Sequence, residues 1–392
     1  MATTTVPDRR LLPWWVGAFG PLVLIALLLG LFVALNPIGG LREVPPVEAV
    51  AVERTVLEPG SVEMQVRNDG PDPVTIAQVL VNDAYWNHSI TDRTLGRLEA
   101  ATIRIPYPWD EGLPLNIALV TSTGLTIEHE IEAAAETPEA DGSTTLIYAL
   151  LGLYIGVVPV ALGLLWFPAL RRASKRWLGF FLAFTAGLLA FLLVDTIEEG
   201  IELAGATGSA LNAVALLAVG ALVAVVGLLA LEGVLGGRRS SGIAGLPLAY
   251  FVAAGIGLHN LGEGLAVGAA LSAGEVALGT FLILGFALHN TTEGLAIVAP
   301  LGSESARPSL WHFVGLGAVA GVPTIVGSIA GGFAFSPAFG TVAFGVAAGA
   351  IAQVVWAILK GLPAEARLSS LVGAAGFAVG LLVMYLTGLL TA

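Results

Sequence analysis

The sequence predicts a polytopic α-helical membrane protein: an eight-helix bundle preceded by one anchor helix and a small β-sandwich domain. Three observations point there. Hydrophobic residues make up 56% of the 392 residues and charged ones only 12%, with a mean hydropathy of +0.86, whereas soluble domains carry about 25% charged residues. Apolar segments of about 20 residues, enough to cross the hydrocarbon core, recur along the chain. One internal segment, 40–141, differs: it holds 18 of the 29 acidic residues and 6 of the 17 basic ones, so the whole formal charge of −12 sits there. Fifty glycines suit membrane helices whose backbones approach closely. The absence of cysteine excludes disulfides, thiolate metal sites and a cysteine nucleophile. No basic patch offers a nucleic acid a footing.

The elements follow in order. The first apolar segment, 16–35, stands behind Arg9 and Arg10. It is long for the core of a signal peptide and lacks a small-residue cleavage site, so 1–39 reads as a cytoplasmic N-terminus and an uncleaved transmembrane anchor. Residues 40–141 then alternate polar and apolar, as in Ser61-Val62-Glu63-Met64-Gln65-Val66 and 74–81. Turns at Glu58-Pro59-Gly60 and Asn68-Asp69-Gly70-Pro71 punctuate them. Period-two strands between such turns describe a β-sandwich. The polar stretch 136–145 reads as a linker. The domain 142–392 contains eight apolar segments, about 146–170, 177–201, 209–235, 243–271, 275–300, 310–334, 337–359 and 369–391.

Lys and Arg collect in short cytoplasmic loops, which sets the orientation. With Arg9 and Arg10 inside, the sandwich lies outside. The inner loops then hold Arg171, Arg172, Lys175, Arg176, Arg238, Arg239, Arg307, Lys360 and Arg367, and the short outer loops hold no Lys or Arg. The expected location is an inner or plasma membrane.

Ionisable residues inside membrane helices are costly and each needs a reason. Two consecutive helices carry matching strings, His259-Asn260-Leu261-Gly262-Glu263-Gly264 and His289-Asn290-Thr291-Thr292-Glu293-Gly294. Consecutive helices run antiparallel, so the repeats can be related by a two-fold axis in the membrane plane. His and Glu, four residues apart, lie about 40° apart around the helix axis, and Asn shares that face. The two faces together offer two imidazoles, two carboxylates and two amide oxygens, a donor set for Zn, Fe or Mn. The competing interpretation, interhelical hydrogen bonds that glue the bundle, accounts poorly for a constellation duplicated at identical spacing.

These paired motifs on the fourth and fifth of eight helices resemble those of the ZIP (Zrt/Irt-like) metal transporters. The resemblance covers about 146–392 and includes Ala347-Ala348-Gly349-Ala350 and Leu362-Pro363-Ala364-Glu365. It implies eight helices with both ends outside, and movement of divalent zinc, iron, manganese or cadmium into the cytoplasm without ATP. It also implies His259, Glu263, His289 and Glu293 as metal ligands, with Asn260 and Asn290 beside them. The chain departs from the family in three places. Gly262 and Thr292 stand where the family has Pro, 321–324 lacks the acid of many sixth helices, and the loop 236–242 has no His.

Asp195, Glu198, Glu199 and Glu202 share one helical face and are candidates for an acidic outer vestibule that gathers cations. Gln353 reads as an interhelical hydrogen-bonder, Glu232 as a partner for Arg238, and His312 with Trp311 as an interfacial aromatic pair. His129 falls on the apolar face of its strand, while Glu128, Glu130 and Glu132 form a solvated stripe; His88 stands alone. There is no phosphate-binding G-x-x-x-x-G-K-[ST]. The function expected is secondary transport of divalent metal by alternating access, not enzymatic, with the metal as substrate rather than cofactor. Its rivals are a non-transporting metal sensor and an intramembrane zinc hydrolase. Expected partners are divalent metal ions, the lipid bilayer and, as a candidate, a second copy in a homodimer; the sequence names no partner for the β-domain.

Overall fold

The computed structural model describes residues 14–35, 46–131, 133–207, 211–236, 244–274, 276–303 and 307–389. Arg9, Arg10, Glu132, Arg238 and Arg239 lie outside them. The chain forms two compact units, Met1–Val47 and Glu48–Ala392. In the first, helix α1 (Trp14–Leu35) is apolar throughout, with Pro21 near its start. Its described side chains from Phe19 onward, Leu24, Leu28 and Phe32 among them, are exposed. Its 22 residues span about 33 Å.

The second unit opens with a sandwich of antiparallel strands: β1 (Val50–Glu58), β2 (Ser61–Asn68), β3 (Val74–Val81), β4 (Ala84–Tyr85), β5 (Ser89–Ile90), β6 (Thr94–Leu95), β7 (Ala100–Ile105), β8 (Leu115–Thr121) and β9 (Thr126–Ile131). One sheet has the order β1-β2-β7-β5. The other is β4-β3-β8-β9, with β6 paired to β3. The period-two pattern places Val62, Met64 and Val66 of β2 against Ile76, Ile117 and Leu119 of the facing sheet, all fully buried. Burial of each such side chain is worth roughly 1.5–3 kcal/mol. Gly60, at φ +74°, makes the tight β1–β2 turn that a side chain would strain. The register of β1 on β2 shifts between Val52 and Arg54, a bulge that inserts Glu53.

The expected linker is held at both ends. Thr137 exchanges hydrogen bonds with Leu57, Leu57 N to Thr137 Oγ1 and Thr137 N to Leu57 O, both 2.9 Å. Asp141 caps the next helix by accepting from Thr144 N at 2.7 Å, so that helix begins inside the stretch read as linker. The helices are α2 (Gly142–Gly152), then one π-helical turn (Leu153–Val157), α3 (Val158–Leu164), α4 (Phe167–Leu170), α5 (Lys175–Thr207), α6 (Ala213–Gly236), α7 (Gly245–Ser272), α8 (Val276–Val298), α9 (Leu310–Ala334), α10 (Pro337–Gly361) and α11 (Leu371–Gly388). They overlie the eight segments expected from hydropathy, with α2 starting four residues before its segment and α5 ending six residues after its own.

Seven stretches among the described residues are long and apolar enough to cross a membrane, the first running continuously over Gly142–Leu170. The eighth, α7, has the length, at 28 residues, and carries the same His, Asn and Glu string as α8. It is also walled in by protein, with Phe251, Val252, Ala253 and Ile256 buried. Packing divides the bundle in two. α7 lies along α9, α2 on α9, α3 on α8 and α8 beside α7, while α5 and α6 pack on α10 and α11 packs on α5. The two groups meet chiefly where α10 touches α7.

Candidate metal centre

The paired motifs sit about halfway along α7 and α8, and each is pinned to its neighbour in the same way. The amide of Asn260 donates to Ala320 O of α9 at 3.1 Å. The amide of Asn290 donates to Ile155 O of the π-turn at 3.0 Å. Both carbonyls lie beside a proline. Pro159 has no N–H to offer Ile155 O, four residues back, and Pro323 follows Ala320 by three. Glycine after each glutamate lets the same helix pairs touch. A Cβ on Gly264 would fall 2.3 Å from Thr324 O of α9, and one on Gly294 would fall 2.3 Å from Val160 O of α3. The repeat read in the sequence is thus repeated in its contacts, α7 on α9 as α8 on α3.

Asn260 Oδ1 and Asn290 Oδ1 are left buried without partners. The six residues expected in the site are all buried and come together. One Glu263 oxygen, Oε1, faces His259 Nε2 at 3.1 Å and also His289 Nε2; Oε2 accepts from Asn290 Nδ2 at 2.9 Å. Glu293 is only 3% exposed, yet neither of its oxygens has a hydrogen-bond partner of regular geometry. Asn260 faces Glu293 and gives one of its two amide protons to Ala320 O of α9. Ligand atoms of His259, His289 and Glu293 all lie within 4.8 Å of one another. A buried carboxylate and two amide oxygens without donors are costly alone, and two imidazoles with these oxygens match the donor set of a divalent transition metal.

Sequence reading missed Thr196. Its hydroxyl has one proton, given to Leu192 O at 2.7 Å, so at 3.0 Å it accepts from His259 Nδ1. That bond fixes the ring and turns Nε2 into the site, as outer partners of metal-binding histidines do. The one available signal was its place beside Asp195 on the acidic face. Asp195 and Glu199 are half-buried and within electrostatic range of His259, His289 and Glu263. Glu198 and Glu202 are exposed. None of the four joins the ligand cluster.

Gln353, His312 and His129 have local partners. Gln353 Nε2 donates to Glu232 Oε2 at 3.2 Å, joining α10 to α6. His312 pairs with Tyr250, Nδ1 to Oη 3.2 Å, while Trp311 stays exposed. His129 is half-buried, its Nε2 3.0 Å from Thr55 Oγ1. Glu128 and Glu130 are exposed.

Comparison with protein-family models gives no match, and none of the curated proteins matches the chain. Among solved structures, the archaellum periplasmic stator protein FlaG from Sulfolobus acidocaldarius is similar to 21% of this chain over 99% of its own. The identity is 14% and the TM-score 0.20. A likeness that slight carries no functional argument.

Proposed function

We propose that this protein is a secondary transporter that carries a divalent transition metal, zinc first among them, across a membrane through the paired motifs. The observation that carries the proposal is the convergence of His259, His289 and Glu293 within 4.8 Å, half-way along two helices, beside buried oxygens that have no donor. The resemblance of the motifs to those of ZIP transporters supports it, as does the charge pattern. The described Lys and Arg of the helix connections, Lys175, Arg307, Lys360 and Arg367 among them, lie at the ends of α5, α9, α10 and α11 away from the sandwich. On the positive-inside rule those ends are cytoplasmic and the sandwich is outside. Metal then reaches the site from the sandwich side past Glu199 and Asp195, and leaves towards the basic loops. An inside-negative potential favours cation uptake by about 2.3 kcal/mol per charge per 100 mV.

Zinc uptake into proteoliposomes tests this, with iron, manganese and cadmium as competitors. The expected result is uptake in wild type that falls to the protein-free rate in both Glu263→Ala and Glu293→Ala. Zinc binding without uptake would replace the transporter by a sensor, and bound zinc that does not exchange would point to a hydrolase.

A further inference from the structure

Two arginines tie the sandwich to the helices, and they reach different helix groups. The β1 bulge sets Glu53 and Arg54 side by side. Arg54 Nη1 donates to Phe333 O, in the last turn of α9, at 2.7 Å. Arg67 of β2, 7% exposed, donates through Nη2 to Thr207 O, the last residue of α5, at 3.1 Å. Glu53 and Asp69 hold its other nitrogens, Nε to Oε1 at 2.6 Å and Nη1 to Oδ1 at 3.4 Å. Both carbonyls are among those a helix C-terminus leaves without an internal donor, at the negative end of its dipole. Thr207 Oγ1 meets Thr341 Oγ1 of α10 at 3.1 Å. The α9 anchor therefore belongs to the group of α2, α3, α7 and α8, and the α5 anchor to the group of α10.

Between the anchors lies a cavity of about 550 Å³. Glu199 and Glu202 of α5 form one wall, Ala266 and Ala270 of α7 the other, and Thr55 and His129 of the sandwich form the roof. Ala266 lies one turn along α7 from Glu263, so the cavity leads towards the paired motifs.

We propose that the sandwich is a latch across the two helix groups, and that the cavity widens to admit metal when the Arg54 anchor releases. This rests on the transport reading. Arg54 is the releasing side because it is half-buried and its guanidinium makes one helix bond, whereas two acids lock Arg67 in place.

The chain has no cysteine, so cysteines placed at Gly205 and Ala334 carry spin labels uniquely. A Cβ at Gly205 meets nothing within 4 Å, and Ala334 is exposed. Distances between them are measured by double electron–electron resonance on the full chain in nanodiscs, and zinc uptake on the same variants. Arg54→Met should raise the ratio of long to short distances about tenfold, the scale of one charge-assisted hydrogen bond. Arg54→Lys, which still donates to Phe333 O, should stay at the wild-type distribution. A distribution unchanged by Arg54→Met, or opened equally by Arg54→Lys, overturns the latch. Distances that shift as expected with no uptake even in wild type uphold the latch and remove the transport reading. Wild-type uptake with unmoved distances does the reverse.

Discussion

Glu263 and Glu293 hold the same place in their motifs and end in opposite surroundings. Glu263 gathers both imidazoles and the Asn290 amide, whereas Glu293 faces Asn260 and has no hydrogen bond of regular geometry. The i, i+4 spacing made the shared face of His and Glu legible in the sequence. Which carboxylate becomes the hub was not, because that depends on the neighbours supplied by the π-turn, α5 and α9. Thr196 shows the same limit: its role comes from α5 meeting α7, and its place beside Asp195 is only a faint local mark. It also gives a test. Thr196→Val keeps the shape but removes the acceptor for His259 Nδ1. Zinc affinity, measured by competition with a chelating dye, should weaken roughly 10–100-fold. An unchanged affinity would show that His259 needs no such support.

At the scale of elements, the eight apolar segments and the alternation of β2 and β3 were readable because hydropathy and period two report burial directly. The π-turn, the β1 bulge and the close helix crossings were not, since they depend on which backbone approaches which. Gly264 and Gly294 make the crossings testable. A methyl group there meets a carbonyl 2.3 Å away, whereas one on Gly227 of α6 meets nothing within 4 Å. Gly264→Ala and Gly294→Ala should each destabilise by about 1–3 kcal/mol, seen as lower melting temperatures, while Gly227→Ala should not.

The sandwich has its own pH signature. Burial holds the His129 imidazole below the usual histidine range. The unfolded chain binds that proton near pH 6.5, and the folded one binds it only at lower pH. This contribution to stability is therefore intact above about pH 6.5 and is lost as pH falls, levelling off once the folded histidine also protonates. Melting at pH 7.5 and 5.5 should show a larger drop in wild type than in His129→Gln; equal drops would refute it.

The whole molecule combines a long-range symmetry with a piece outside it. The repeat of α7 and α8 could be read from two strings of six residues, and the charge of the loops from simple counting. The docking of the sandwich could not, because Arg54 and Arg67 recognise helix-end carbonyls, which have no sequence signature. Everything proposed for the bundle depends on a metal ion being held between α7 and α8. Zinc K-edge absorption of the full chain in nanodiscs reads that ion's surroundings directly. The account predicts one zinc per chain with a shell of nitrogen and oxygen only and two imidazoles at about 2.0–2.1 Å, and loss of that shell in Glu293→Gln. A spectrum of hydrated zinc, or one unchanged by Glu293→Gln, would contradict it.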